Sequence, residues 1–163
     1  MTGRDHAVTV KSYDRIFGAG PRGAIISILL LLITYFLQQN TSSVSIFSTD
    51  AARYLAVSVL GWLGLILIAW SLVSLPPRDR GRSLVTTGAF AYIRHPLYAS
   101  FLLFFNPAVA LYLNDMIYLF WVIMLLPVWS LNVRSEERLM GGEFGEAYDE
   151  YCKNTAKFIP KVW

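Results

Sequence analysis

The sequence predicts an all-α fold: a polytopic membrane bundle of about four transmembrane helices, followed by a cytoplasmic amphipathic helix near the C-terminus. Three observations predict it. Of 163 residues, 55% are apolar and only 15% are charged. A soluble domain is about half apolar and about a quarter charged, so this chain is too poor in polar groups to cover a water-facing globule. Four long apolar stretches divide the chain, and the basic residues fall in alternate segments between them. The length suits a single domain, residues 1–163. A lone cysteine, Cys152, excludes a disulfide scaffold, and the apolar content excludes a disordered chain.

The first stretch, residues 24–37, is short for a span, since crossing a core about 30 Å thick takes about 20 helical residues. The competing reading is a helix buried against the others without fully crossing. Gln38 and Gln39 favour crossing, because they can extend the helix into the headgroups. The second stretch, residues 51–75, is long enough and carries one charge, Arg53, at its edge. The third, residues 97–113, spans only if its ends are counted, and Pro107 predicts a kink. The fourth, residues 116–133, fits well. Beyond it, Phe144, Ala147, Tyr148 and Tyr151 recur at helical spacing opposite Glu143, Glu146, Asp149 and Glu150. That pattern predicts a short amphipathic helix, lying on the membrane or folded over a site. Trp62, Trp70, Trp121 and Trp129 read as bundle packing and interface anchors.

Charge placement predicts orientation. Thirteen of the 14 Lys and Arg residues precede span one, lie in the loop 76–95, or follow span four; Arg53 is the exception. Cytoplasmic segments collect Lys and Arg, so both termini and the loop 76–95 are expected in the cytoplasm. Because the basic residues are divided among three segments, they do not read as a nucleic-acid patch. No cleavable signal peptide is expected, since no small-residue cleavage site follows the first stretch. The ending is no prenylation motif, and Cys152 reads as an inert thiol.

Polar residues with chemical potential concentrate on that cytoplasmic side. Arg94-His95-Pro96-Leu97-Tyr98 opens span three, with Pro96 at the first helical position. A helix N-terminus attracts anions. Arg94 adds a cation, His95 a donor and Tyr98 a hydroxyl on the same face. The set suits a carboxylate or phosphate, or equally an anchor to lipid phosphates. Glu136 and Glu137 follow span four and are expected near a helix C-terminus, with the helix ending at Gly141–Gly142. The helix dipole opposes acids there. Either Arg134 and Arg138 pair with them locally, or they bind a ligand's ammonium group. The short turn between spans three and four makes the two motifs neighbours. A carboxylate site beside an ammonium site fits an amino-acid head group, such as that of S-adenosylmethionine. Two histidines, His6 and His95, make no metal cluster.

In these residues the chain resembles the isoprenylcysteine carboxyl methyltransferase and phospholipid methyltransferase group of membrane enzymes. Thr87-Gly88-Ala89-Phe90 leads into Arg94-His95-Pro96-Leu97-Tyr98. Glu136-Glu137, Phe144-Gly145-Glu146-Ala147-Tyr148-Asp149-Glu150-Tyr151 and Ile159-Pro160 follow in order. The resemblance covers roughly residues 72–163. It implies a cofactor-binding C-terminal half enclosing S-adenosylmethionine at the cytoplasmic face, with residues 1–71 helping to form the acceptor side. It implies that Gly88, Arg94, His95, Tyr98, Glu136, Glu137 and Tyr148 bind the cofactor. Ala89 stands where the family often has Pro, and Ser100 where Gly is common. Relatives often have five or more spans.

The expected function is therefore an S-adenosylmethionine-dependent methyltransferase acting on a lipidic or amphipathic small acceptor. Glu136, Glu137 or His95 would serve as base if the acceptor is an amine or thiol. The alternatives are an NADPH-dependent membrane reductase of the sterol reductase type, which looks similar through Glu150-Tyr151-Cys152, and a non-catalytic membrane subunit.

Overall fold

The computed structural model describes residues 18–75 and 83–160. Expectations resting on Arg4, His6, Lys11, Arg15, Arg78, Arg80, Arg82 and Lys161 lie outside them. Among the described residues 75% are helical, with no strand, and four helices are long and apolar enough to cross a membrane.

The first helix, α1, is Gly20–Gln38. Its 19 residues reach about 28 Å at about 1.5 Å each, so the polar ends supply the length the apolar stretch lacks. Pro21 sits in its first turn, where a missing N–H loses no helical bond. Helix α2 is Asp50–Ser74. A 3-10 turn, Gly88–Ala91, leads into α3, Pro96–Leu113. The kink expected at Pro107 takes the form of a π-helical turn over Phe101–Phe105. Pro107 has no N–H to return to the preceding turn, and the backbone widens its register ahead of it. The π turn aims Phe105 at Gly64 of α2, where a Cβ would stand 2.7 Å from the ring. Only glycine admits so close a crossing.

Helix α4, Ile117–Asn132, lies between α3 and α1, while α2 packs on the far side of α3. Trp121, Leu125, Trp129 and Val133 recur every four residues and form its buried stripe. Ser27 of α1 accepts from both indoles: its carbonyl from Trp121 Nε1 at 3.2 Å, its hydroxyl from Trp129 Nε1 at 2.9 Å. Those two tryptophans are packing residues, as expected. Outward-facing side chains such as Phe36, Leu55, Trp62 and Phe120 are each 67% exposed. Apolar surface this extensive marks contact with a membrane rather than water.

Asp115 ties off the end of the bundle away from the Arg94 motif. It accepts from Ser43 Oγ at 2.7 Å and from the Ile117 N–H at 3.1 Å. The Ile117 N–H, then the Ser43 hydroxyl, hold its carboxyl below the usual range despite burial. Asn114, in the left-handed region at φ 55°, accepts the Phe47 N–H at 2.8 Å.

The helix that follows span four departs from the sequence expectation. The α4 helix is interrupted at Val133 and resumes as α5, Arg134–Phe144. Glu136 and Glu137 thus fall in the first turn of α5, not near a helix C-terminus. The glycine pair 141–142 stays helical. The break comes at Gly145, whose φ of +53° suits glycine. Helix α6, Glu146–Asn154, buries Tyr148 and Tyr151 against the protein. Tyr151 donates to the Phe90 carbonyl at 2.6 Å.

Candidate active site

The site is assembled where three segments meet: the start of α3, the first turn of α5, and the tail after α6. The tail runs beside residues 93–95. Arg94 N–H donates to the Ala156 carbonyl at 2.8 Å and His95 N–H to the Lys157 carbonyl at 3.1 Å. This pairing fixes the Arg-His dipeptide before Pro96 begins α3.

Five of the expected site residues converge here: Arg94, His95, Tyr98, Glu136 and Glu137. The two acids are in different electrostatic surroundings. Glu137 Oε1 meets Arg94 Nη2 at 3.0 Å and Nε at 3.1 Å, and its Oε2 meets Lys157 Nζ at 2.8 Å. His95 Nε2 stands 3.4 Å from Glu137 Oε1. Burial pushes the Glu137 carboxyl up, but bonds from His95 and Lys157 and the Arg94 charge outweigh it and hold the group down at about 2. Among the described residues, no Lys or Arg pairs with Glu136. Its Oε1 accepts from the Tyr98 hydroxyl at 2.8 Å and from the Ala19 N–H, and its Oε2 stands 3.6 Å from His95 Nδ1. Among the described residues, neither Arg134 nor Arg138 pairs with either acid. The local pairing considered from sequence is replaced by charges from α3 and the tail.

His95 lies between the two carboxylates. Its ring stacks on Tyr98 at 5.7 Å, with planes 16° apart, and meets Phe158 at 5.9 Å. Its Nε2 is buried and faces Glu137 Oε1 at 3.4 Å, with no well-aligned hydrogen bond among the described residues. Arg94 is fully engaged: besides Glu137, its Nη1 donates to the carbonyls of Cys152, at 3.2 Å, and Thr155. Its side chain thus joins Glu137 to the tail. Lys157, which sequence reasoning counted only as a topology charge, bridges Glu137 and the Ser130 carbonyl, the latter at 3.4 Å. Its signal in the sequence was its place just before Phe158-Ile159-Pro160.

Gly88 and Tyr148 lie apart from this contact set. Gly88 has φ +60°, and a Cβ there would stand 2.8 Å from Ser74 Cβ. The next N–H, of Ala89, donates to Ser74 Oγ at 3.0 Å. Gly88 thus seats the 3-10 turn on the end of α2. Tyr148 borders the cluster from α6; burial, with Cys152 and Glu137 nearby, raises its hydroxyl pKa. Ser100 is fully buried and donates to the Leu97 carbonyl at 2.6 Å. An open groove of about 580 Å³ is lined by other residues, including Thr86, Ala91, Glu150, Tyr151 and Thr155.

The arrangement has the means to hold a ligand cation. Among the described residues no Lys or Arg pairs with Glu136, which is oriented by the Tyr98 hydroxyl and the Ala19 N–H, with His95 Nδ1 3.6 Å from its Oε2. An ammonium-bearing group fits this donor set.

Over 85 residues the chain is 31% identical to the protein-S-isoprenylcysteine O-methyltransferase of Schizosaccharomyces pombe (strain 972 / ATCC 24843). The match covers 52% of this chain and 36% of that protein. The chain thus spans about a third of the length of the curated relative it matches. No family model matches the chain, and no solved structure matches it.

Proposed function

We propose that the chain is an integral membrane S-adenosylmethionine-dependent methyltransferase acting on a lipidic or amphipathic small acceptor. The observation that carries this reading is Glu136, a carboxylate held through one oxygen by the Tyr98 hydroxyl and the Ala19 N–H, with His95 Nδ1 3.6 Å from the other. The partial similarity to a methyltransferase supports it. In this reading residues 72–163 hold the cofactor and residues 1–71 help form the acceptor side.

The bound cofactor supplies an electrophilic methyl on a sulfonium. The protein's share is to hold and dry the reactants. Glu136 binds the ammonium of the amino-acid head, and the first turn of α3 faces its carboxylate. Tyr98 fixes Glu136 through the 2.8 Å bond. The apolar surroundings, Phe158 and Trp129 among them, exclude water, which favours a step in which the charge on sulfur is lost. Most of the acceleration then comes from positioning. A carboxylate acceptor needs no base. For an amine or thiol, the acceptor's proton goes to His95 or Glu136. Glu137, held at about 2, is a poor proton acceptor at neutral pH, so the base role expected of it from sequence passes to its neighbours. Glu137 acts by keeping Arg94, His95 and Lys157 in place.

Calorimetry of the full chain in detergent tests the reading. S-adenosylhomocysteine binds and NADPH does not. Binding of NADPH alone would mean a reductase, and binding of neither a non-catalytic subunit. The reading also sets topology: the site, both termini and the loop 76–95 are cytoplasmic. Reporter fusions at Trp163 and within residues 41–48 report opposite sides of the membrane, and the same side for both would overturn the four-span arrangement.

A further inference from the structure

The turn that precedes span one is built into the site. Ala19 is wholly buried, and both polar atoms of its backbone are held by the α4–α5 segment. Its carbonyl accepts from Asn132 Nδ2 at 2.7 Å, and its N–H donates to Glu136 Oε1. Gly18 has φ +58°; a Cβ on it would fall on Glu136 Oε1 and stand 2.9 Å from Tyr98 Oη. Gly20 has more room: a Cβ there would be 3.6 Å from the Tyr98 ring, an ordinary contact.

The chemistry of this contact is selective. Both donors to Glu136 bond one oxygen, Oε1, and leave Oε2 with only His95 Nδ1 at 3.6 Å. A carboxylate has about four lone-pair sites, so Oε2 keeps capacity for a ligand. A backbone N–H can orient the carboxylate without cancelling its charge. A Lys or Arg in the same place would cancel it, as happens at Glu137.

We infer that the Gly18–Ala19 turn is a positioning element of the site, which clamps Glu136 in its ligand-facing pose and so ties the start of span one to ligand binding. This rests on the reading that Glu136 meets the ammonium of the cofactor. It gives the N-terminal half of the chain a direct share in a site whose other groups come from the C-terminal half.

The test uses the full chain in detergent, with two kinds of readout. In calorimetry, Gly18→Ala weakens S-adenosylhomocysteine about tenfold, the scale of a displaced bond to a charged group. It leaves affinity for an analogue lacking the amino group as in the parent, whereas a merely structural defect would weaken both ligands alike. Gly20→Ala binds both as the parent does. Asn132→Ala, which removes the side-chain bond to the Ala19 carbonyl and leaves only the helical one from the Gly23 N–H, weakens the amino-bearing ligand selectively, and serves if Gly18→Ala does not fold. Independently of any ligand, the Ala19 amide is slow to exchange with solvent in the parent and in Glu136→Gln, whose side-chain carbonyl still accepts. It is fast in Glu136→Leu. If the exchange pattern holds but the parent binds no S-adenosylhomocysteine, the clamp stands and the cofactor reading fails. If Ala19 exchanges as fast in the parent as in Glu136→Leu, or if Gly18→Ala and Asn132→Ala both bind the amino-bearing ligand normally, the inference is overturned.

Discussion

Glu137→Gln is expected to destabilise the protein by about 3 kcal/mol, measured as a lower melting temperature in detergent. The change removes the one acid shared by Arg94 and Lys157 and leaves their charges uncompensated in surroundings where the three side chains are only 12–27% exposed. Removing one partner of a buried pair costs about 3–5 kcal/mol, and partial exposure puts this case at the lower end. The pH dependence follows with a definite sign. The folded carboxyl titrates at about 2, below its ordinary 4.5. Its contribution is present in full above the unfolded value and is lost as pH falls from 4.5 through about 2. The parent's melting temperature should fall across that acid window, and the Glu137→Gln curve should have lost this component. A neutral-pH melting temperature equal to the parent's would mean that the cluster contributes nothing to stability.

Glu136→Gln is expected to do the reverse. A glutamine keeps an acceptor for Tyr98 and Ala19, so the cost in stability should be about 1 kcal/mol or less. It removes the charge that would meet an ammonium. A hydrogen bond to a charged group is worth about 1.5–3 kcal/mol, so S-adenosylhomocysteine should bind roughly ten- to a hundredfold more weakly. For an analogue without the amino group the gap between variant and parent should shrink. Unchanged binding with an earlier melt would assign Glu136 a structural role and take away the main support for a cofactor site at this place. Adjacent acids in one helical turn are thus expected to separate cleanly, one through stability and one through affinity.

The reason for the separation is a matter of what each carboxylate can reach. Both acids were legible in the sequence as a pair needing counter-charges, and Arg134 and Arg138 were the nearest candidates along the chain. The counter-charges come instead from Arg94 and Lys157, which are 43 and 20 residues away from Glu137. Spacing along one helix reveals partners on that helix, but partners brought by another segment leave no periodic trace. The same limit hid the Ala19 N–H, because a backbone donor has no residue type to recognise. The expected helix end at the glycine pair 141–142 moved to Gly145 for a local reason: only Gly145 has a positive φ there, and glycines with ordinary backbone angles do not stop a helix.

What the sequence determined by itself was the number and course of the apolar helices, the antiparallel hairpin of spans three and four, and hence the neighbourhood of Arg94–Tyr98 and Glu136–Glu137. These follow from apolar length and from a short turn, which are properties of the chain taken locally. Tertiary structure alone decided how the charges are shared. The tail lies along residues 93–95 through backbone hydrogen bonds from Arg94 and His95, and that contact delivers Lys157 to Glu137. The crossing of α1 on α4 brings the Ala19 peptide to Glu136. Ion pairs and buried hydrogen bonds act over a few ångströms, so which groups they join is settled only when the packing of apolar helices has brought distant segments within that reach.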